Sequence, residues 1–292
     1  MLLAAAVLTV VLFAVVLAPR VMAEQPVPEP DLRAAGMTGV AQLVTPFQLR
    51  SDDGGRTIML LGAYADSART ALFLRVIPNA GTPDMTLTDG QAQVELRNSV
   101  MWGVPGAPGD YVYVFEQGPR LGPDGNAHLT AHVIGLMAFV VSSAPPEESS
   151  GSWNLSFALP VQPATAIPNE GAFQLGSSKI TIEVLEVTPS VIHLQAVIDG
   201  GDLLGVSPVL WSAISLVDPS GTPVNPVAAG AEATTQETYI PKQKVIPTPS
   251  ASPPNSWRVN MRWPRPDTAG AYQLRFQGNG DTHTIPIAVP AP

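Results

Sequence analysis

The chain contains no cysteine. Thiol nucleophiles, cysteine-ligated zinc and disulfides are excluded together, so the fold must be held by packing alone. Positive charge is scarce as well. Fifteen Lys and Arg stand against 24 Asp and Glu, a formal net charge of −9, and the basic residues form no stripe. Phosphate backbones and anionic headgroups would be repelled, so nucleic acid is excluded as a partner and anionic lipid is a poor one. Charged residues of all kinds make up only 13% of the chain against 45% hydrophobic, the balance of a core-forming protein rather than a disordered one. Catalytic punctuation is missing too. There is no Gly-x-Ser-x-Gly elbow, no zincin helix motif and no dedicated calcium loop, and no cofactor is expected.

What the chain has is punctuation of another kind. Its 31 prolines and 25 glycines are spread along 292 residues, which suits many short strands joined by turns in two ordinary domains. Residues 152–160 (SWNLSFALP) and 256–264 (SWRVNMRWP) read as one strand written twice, each Ser-Trp, then alternating apolar positions, then Pro. Phe47-Gln48-Leu49 recurs as Phe173-Gln174-Leu175. Between these landmarks Ile58 falls on Ile180, Asp66 on Thr188, Leu72 on Leu194 and Val76 on Ile198. A repeat of this length means two copies of one β-domain. The clearest unit is a hairpin, residues 56–65 and 69–77 around a turn at Asp66-Ser67-Ala68. Near the C-terminus, Asp267, Gly270 and Tyr272 precede an alternating strand in the manner of an immunoglobulin tyrosine corner, with Leu274 where the second cysteine would stand.

The expected architecture is all-β: two tandem immunoglobulin-like β-sandwiches behind an N-terminal hydrophobic helix. Residues 1–23 are a signal peptide or a transmembrane anchor. The apolar run 2–17 is barely long enough to span ~30 Å of hydrocarbon, and Val21-Met22-Ala23 offers a cleavage site before Glu24. Either reading places the rest of the chain outside the cytoplasm, anchored or secreted. Residues 24–36 form a semi-extended Pro-rich stalk, 37–160 the first sandwich, 161–170 a linker and 171–292 the second sandwich. The last contains a long Pro/Ser/Thr-rich loop, 228–256.

Three features resemble the extracytoplasmic part of bacterial anti-sigma-factor-type membrane proteins: the hairpin AYADSARTALFLRV (residues 63–76), the strand GSWNLSFALP (151–160) and a shortened second β-domain behind them. The resemblance implies an exported, β-rich, non-catalytic ectodomain of a family without assigned function. Sigma-factor regulation is not carried over, because the family's sigma-binding segment has no counterpart ahead of the hydrophobic run.

Candidate sites are few. His128 and His132 would share a metal on a helix, but on the strand favoured by Thr130 and Val133-Ile134 they stand ~13 Å apart, too far for one ion. His193 and His283 are isolated in sequence. Asp66 and Arg69 flank the hairpin turn, where a capping Asp or a local ion pair is expected. Trp153 and Trp257 are expected in the two cores. Trp102, with Tyr111 and Tyr113 nearby, is the candidate contact surface, an aromatic platform for a glycan or a peptide. The function expected is a non-catalytic interaction or sensing module at a bacterial cell surface. Its partner would be a protein or glycan of the envelope, with the membrane added if the leader is retained. An envelope-polymer hydrolase and a structural spacer are the alternatives. The first would need a pocket gathering a histidine with acidic residues.

Overall fold

A computed structural model describes residues 27–79, 81–90, 94–95, 99–104, 109–137, 149–200, 213–233, 256–278 and 280–290. The leader and residues 234–255 of the long loop lie outside these. No helix among the described residues is long and apolar enough to cross a membrane.

The first sandwich holds β1 (Thr45–Asp53), β2 (Arg56–Ala65), β3 (Thr70–Ile77), β4 (Thr82–Asp89), β5 (Val94–Glu95), β6 (Ser99–Gly103), β7 (Asp110–Phe115), β8 (Asn126–Met137) and β9 (Ser149–Pro160). Its sheets run β1-β2-β3-β7-β6 and β5-β4-β8-β9. The second holds β10 (Thr165–Ala166), β11 (Ala172–Leu175), β12 (Ser178–Val187), β13 (Val191–Asp199), β14 (Ile214–Val217), β15 (Pro223–Val224), β16 (Ala228–Ala233), β17 (Ser256–Pro264), β18 (Gly270–Gly278) and β19 (Asp281–Val289). Its sheets run β10-β12-β13-β17-β16, with β11 also on β12, and β15-β14-β18-β19. With the leading strand set aside, each sandwich has the immunoglobulin order, A-B-E-D facing C′-C-F-G. The eight strands that remain in each sandwich therefore correspond one to one.

The expected hairpin is present as β2 and β3, and its copy is β12 and β13. The tryptophan pairing, however, is corrected. Strand β9 closes the first sandwich beside β8, whereas β17 lies between β13 and β16 in the second. The counterpart of β17 is β7, and that of β9 is β19. The true echo is at their ends, where Ala158-Leu159-Pro160 answers Ala288-Val289-Pro290. Alternation behind a Trp is what any half-buried strand shows, so it marks a strand without saying which one. Trp153 is buried in the first core, as expected. Among the described residues of the second core the fully buried indole is Trp263, while Trp257 is only partly buried against that core. Tyr272 does form the corner, its hydroxyl lying 3.2 Å from Thr268 Oγ1 and 3.5 Å from the Thr268 carbonyl.

Two further expectations change. The linker contributes a strand, because β10 pairs with the end of β12 and, with β11, takes the place that β1 has in the first copy. The stalk is not extended over its described residues: Glu29–Ala34 form helix α1, and Thr38–Leu43 a 3-10 turn. Proline in the first turn preorganises a helix, and Glu29 at its start with Arg33 at its end complements the dipole. Val27, Leu32, Ala35, Met37 and Val40 from this strap bury against Tyr64, Phe73, Val112 and Val114 on the outer face of the first sandwich. Gly62 makes room for it, since a Cβ there would meet Val27 Cγ2 at 2.4 Å. The β2-β3-β7 sheet is thus covered on both faces, which explains why Asp110–Phe115 is buried throughout.

Candidate functional site

The densest polar chemistry lies where the two sandwiches meet, and it is built on the two equivalent hairpin turns. The Asp66 amide donates to the Arg69 carbonyl at 3.0 Å, and the Thr188 amide to the Val191 carbonyl at 2.8 Å. Asp66 Oδ1 accepts from the amides of Ala68 (2.8 Å) and Arg69 (2.9 Å). Thr188 Oγ1 accepts from those of Ser190 (3.2 Å) and Val191 (3.0 Å). These are side-chain-capped turns. The capping role expected for Asp66 is therefore present, but the carboxylate does more. Its second oxygen accepts from the Ser190 hydroxyl across the junction at 2.6 Å and from Tyr64 at 2.7 Å. Four donors compensate a carboxylate that has no solvent exposure. Burial, then the Asp66 charge, pushes the Tyr64 phenol well above its ordinary pKa.

Arg262 crosses in the other direction. It is 4% exposed and projects from β17. Its Nε donates to the Ala68 carbonyl at 3.0 Å and its Nη2 to the Glu116 carbonyl at 2.6 Å. Glu116 Oε2 lies 3.1 Å from the same Nε but accepts no hydrogen bond, because that N–H points at Ala68. The pair is a charge contact only. Burial raises the Glu116 pKa against the pull of Arg262, and burial lowers that of Arg262. Arg69 does not pair with Asp66 as a local ion pair. Its Nη2 donates to the Ala35 carbonyl of the strap at 3.2 Å. The chain after β7 can approach the first turn only because residue 118 is glycine, as a Cβ there would meet the Asp66 carbonyl at 2.3 Å.

His193 sits at the edge of this junction beside carboxylates, the gathering that an enzyme reading requires. Its connections are wrong for catalysis. The Ser67 hydroxyl donates to Glu186 Oε1 at 2.8 Å, the carboxylate that also meets His193 Nδ1 at 3.0 Å. His193 Nε2 faces Asn260 Oδ1 at 3.0 Å. In a nucleophilic triad the serine would face Nε2. Here both ring nitrogens are occupied and the imidazole is buried. Burial alone would raise the Glu186 pKa, but its hydrogen bonds with His193 and Ser67 and their charge context leave it lowered. The arrangement links the two domains through Ser67 and Glu186, and its connections are not those of a nucleophilic triad. Beside it lies a cleft of about 190 Å³, lined by Gly36, Val40, Ser190, Arg265, Pro266 and Asp267.

Of the three residues expected to form a contact platform, the two tyrosines are not on the surface. Tyr111 and Tyr113 are 3% and 4% exposed and face the first core. Their hydroxyls reach Asn79 Oδ1 at 3.2 Å and the Pro83 carbonyl. On a strand, side chains two apart share a face, and the valines between them take the strap side. Trp102 lies on β6, its backbone opposite Val112, and its side chain lies outside the described residues. His128 and His132 stand on strand β8 with separate partners, Asp124 Oδ2 at 3.0 Å and Asn154 Oδ1 at 2.6 Å. His283 stacks on Phe173 in the second sandwich. The junction residues Arg262, Glu116, Glu186 and Ser190 went unmarked in the sequence. Arg262 alternates with apolar residues just as Arg258 does on the same strand, so nothing local set it apart.

No family model matches the chain, and no curated protein matches it. Among solved structures, a conserved domain protein from Bacillus anthracis aligns over 85% of this chain and 92% of its own, with a TM-score of 0.53 and 10% identity. Bovine butyrophilin (78% and 95%, TM-score 0.23, 10% identity) and a titin immunoglobulin tandem (84% and 99%, TM-score 0.20, 10% identity) align over comparable lengths at far lower scores. At 10% identity the first likeness concerns the fold and nothing more. The fold is immunoglobulin-like.

Proposed function

We propose that the chain is a non-catalytic interaction or sensing module held outside the cytoplasm, with a protein or glycan of the cell envelope as its partner. The observation that carries this reading is the condition of the buried acid–base groups. Glu186, Glu116 and Asp66 each reach across the junction and His193 is held against Glu186, so the gathering that could have served hydrolysis serves rigidity. A docked pair of sandwiches presents its loops and sheet edges at fixed separation, which suits recognition. The sequence resemblance to ectodomains of anti-sigma-factor-type membrane proteins supports the same setting, with the leader as anchor or as a signal cleaved before Glu24. The test uses isolated peptidoglycan sacculi and wall glycans incubated with the purified protein. Binding without release of soluble reducing ends is the expected result. Release that scales with protein and is lost in His193→Gln would overturn the reading in favour of a hydrolase.

A further inference from the structure

The strap that covers the first sandwich contains an anomaly. Asp31, in the middle of α1, has no solvent exposure, and neither of its carboxylate oxygens has a hydrogen-bond partner. A buried carboxylate is tolerated as an anion only when donors surround it. None does here. Among the described residues, the charged groups that face it from the underlying sheet are Asp110 on β7 and Arg75 on β3. Those two are already joined in a bidentate pair, Arg75 Nε to Asp110 Oδ1 at 2.6 Å and Nη2 to Oδ2 at 2.7 Å. The arginine's fork is therefore taken, and the Asp110 charge acts on Asp31 more strongly than the arginine does. On the strap itself Glu29 and Arg33 pair with each other at the surface and point away. The rest of the grip is apolar packing through Val27, Leu32, Ala35, Met37 and Val40, plus the Arg69 bond to Ala35.

We propose that residues 27–44 form a proton-dependent latch on the first sandwich: a neutral Asp31 lets the strap lie down, and an ionised Asp31 loosens it. Burial, reinforced by Asp110 and opposed by Arg75, raises the Asp31 pKa from its ordinary 3.8 to about 6. The docked state thus binds the proton more tightly than the released state does. Docking is strongest below the ordinary pKa, and that advantage is lost as pH rises through about 6. A shift of this size changes the docking equilibrium by about a hundredfold in full, and by roughly 25-fold between pH 4.5 and 7.5. Release uncovers Tyr64, Phe73, Val112 and Val114, and it frees Arg69, which stands next to the domain junction. Loosening the latch would therefore change both an apolar face and a corner of the interdomain contact.

Hydrogen–deuterium exchange on the full chain tests this, with rates normalised to the intrinsic exchange at each pH. In the wild type, protection of peptides from residues 27–44 should fall by tens of fold between pH 4.5 and 7.5, while β8 peptides stay protected. Asp31→Asn, which copies the neutral acid in shape, should keep the strap protected at both pH values. Gly62→Val fills the seat of Val27 and should leave the strap unprotected at both, which establishes that these peptides report docking. Wild-type strap protection that is flat across this range, or an Asp31→Asn variant with the wild-type pH dependence, overturns the proposal. If Asp31→Asn does not fold, the wild-type profile set against Gly62→Val decides the matter alone.

Discussion

Replacing Arg262 by methionine is the sharpest probe of how the two sandwiches are joined. The stem of the side chain is kept, so packing along β17 changes little. What disappears is the guanidinium, and with it the donors to the Ala68 and Glu116 carbonyls and the positive charge 3.1 Å from Glu116 Oε2. The carbonyls and the carboxylate remain in the junction with nothing to satisfy them. Removing one partner of a buried ion pair costs about 3–5 kcal/mol, most of it the penalty of the stranded charge. For a sandwich with a urea slope of ~1.5 kcal/mol/M, that is a midpoint shift of about 2–3 M. Urea is the right denaturant, since guanidinium would screen the interaction being measured. Arg258→Met on the same strand is the control. Its pair with Glu183 is 46% and 32% exposed and should contribute under about 1 kcal/mol. Adding Glu116→Gln to Arg262→Met should restore part of the loss, because the stranded charge goes with it. If Arg262→Met proves no worse than Arg258→Met, the junction is a contact without consequence and the rigid two-domain unit proposed above has no basis.

Other perturbations have clear expected outcomes. Gly118→Ala should destabilise by about 1–3 kcal/mol, since its Cβ would overlap the backbone of the first capped turn; a neutral result in thermal unfolding would mean the chain after β7 is free to move aside. Tyr272→Phe should cost about 0.5–1.5 kcal/mol by removing the corner hydroxyl, measurable as a lower urea midpoint without a change of slope. Asp124 is held down to about 2, first by its hydrogen bond with His128 and then by donors from Asn126. Its contribution is present above the ordinary 3.8 and is lost as pH falls through about 2. In His128→Leu its carboxyl carbon should titrate closer to 3.8 by NMR, and an unmoved titration would deny the contact.

The sequence carried the fold further than the site. The β2-β3 hairpin was legible because its turn and its alternation are local, and Tyr272 because the corner is a short-range motif. The Ser-Trp pairing failed because alternation specifies burial of one face and leaves strand identity to long-range pairing. Tyr111 and Tyr113 were read as surface because glycines and prolines precede them. The unbroken run from Asp110 to Phe115 held the contrary signal, a strand covered on both faces. Pro28 and Pro30 suggested an extended stalk, yet proline is equally at home in the first turn of a helix, and the apolar spacing of Leu32, Ala35 and Met37 decides between them. The junction was illegible for a simpler reason. Ser190 and Asp66 are 124 residues apart, and nothing in either neighbourhood indicates that the two turns meet.

That meeting has a consequence for how the two halves could have diverged. The same turn of each copy faces the other, and the contact between them joins one position of the first turn to a different position of the second. The counterpart of Ser190 in the first turn is Ala68, so two identical turns would have set an Asp against an Ala or a Thr against a Ser. The chain instead has an acceptor on one side and hydroxyl donors on the other. Positions 66 and 188 are equivalent in the fold and 66 and 190 are partners by contact, so a substitution at either turn is felt in the other sandwich.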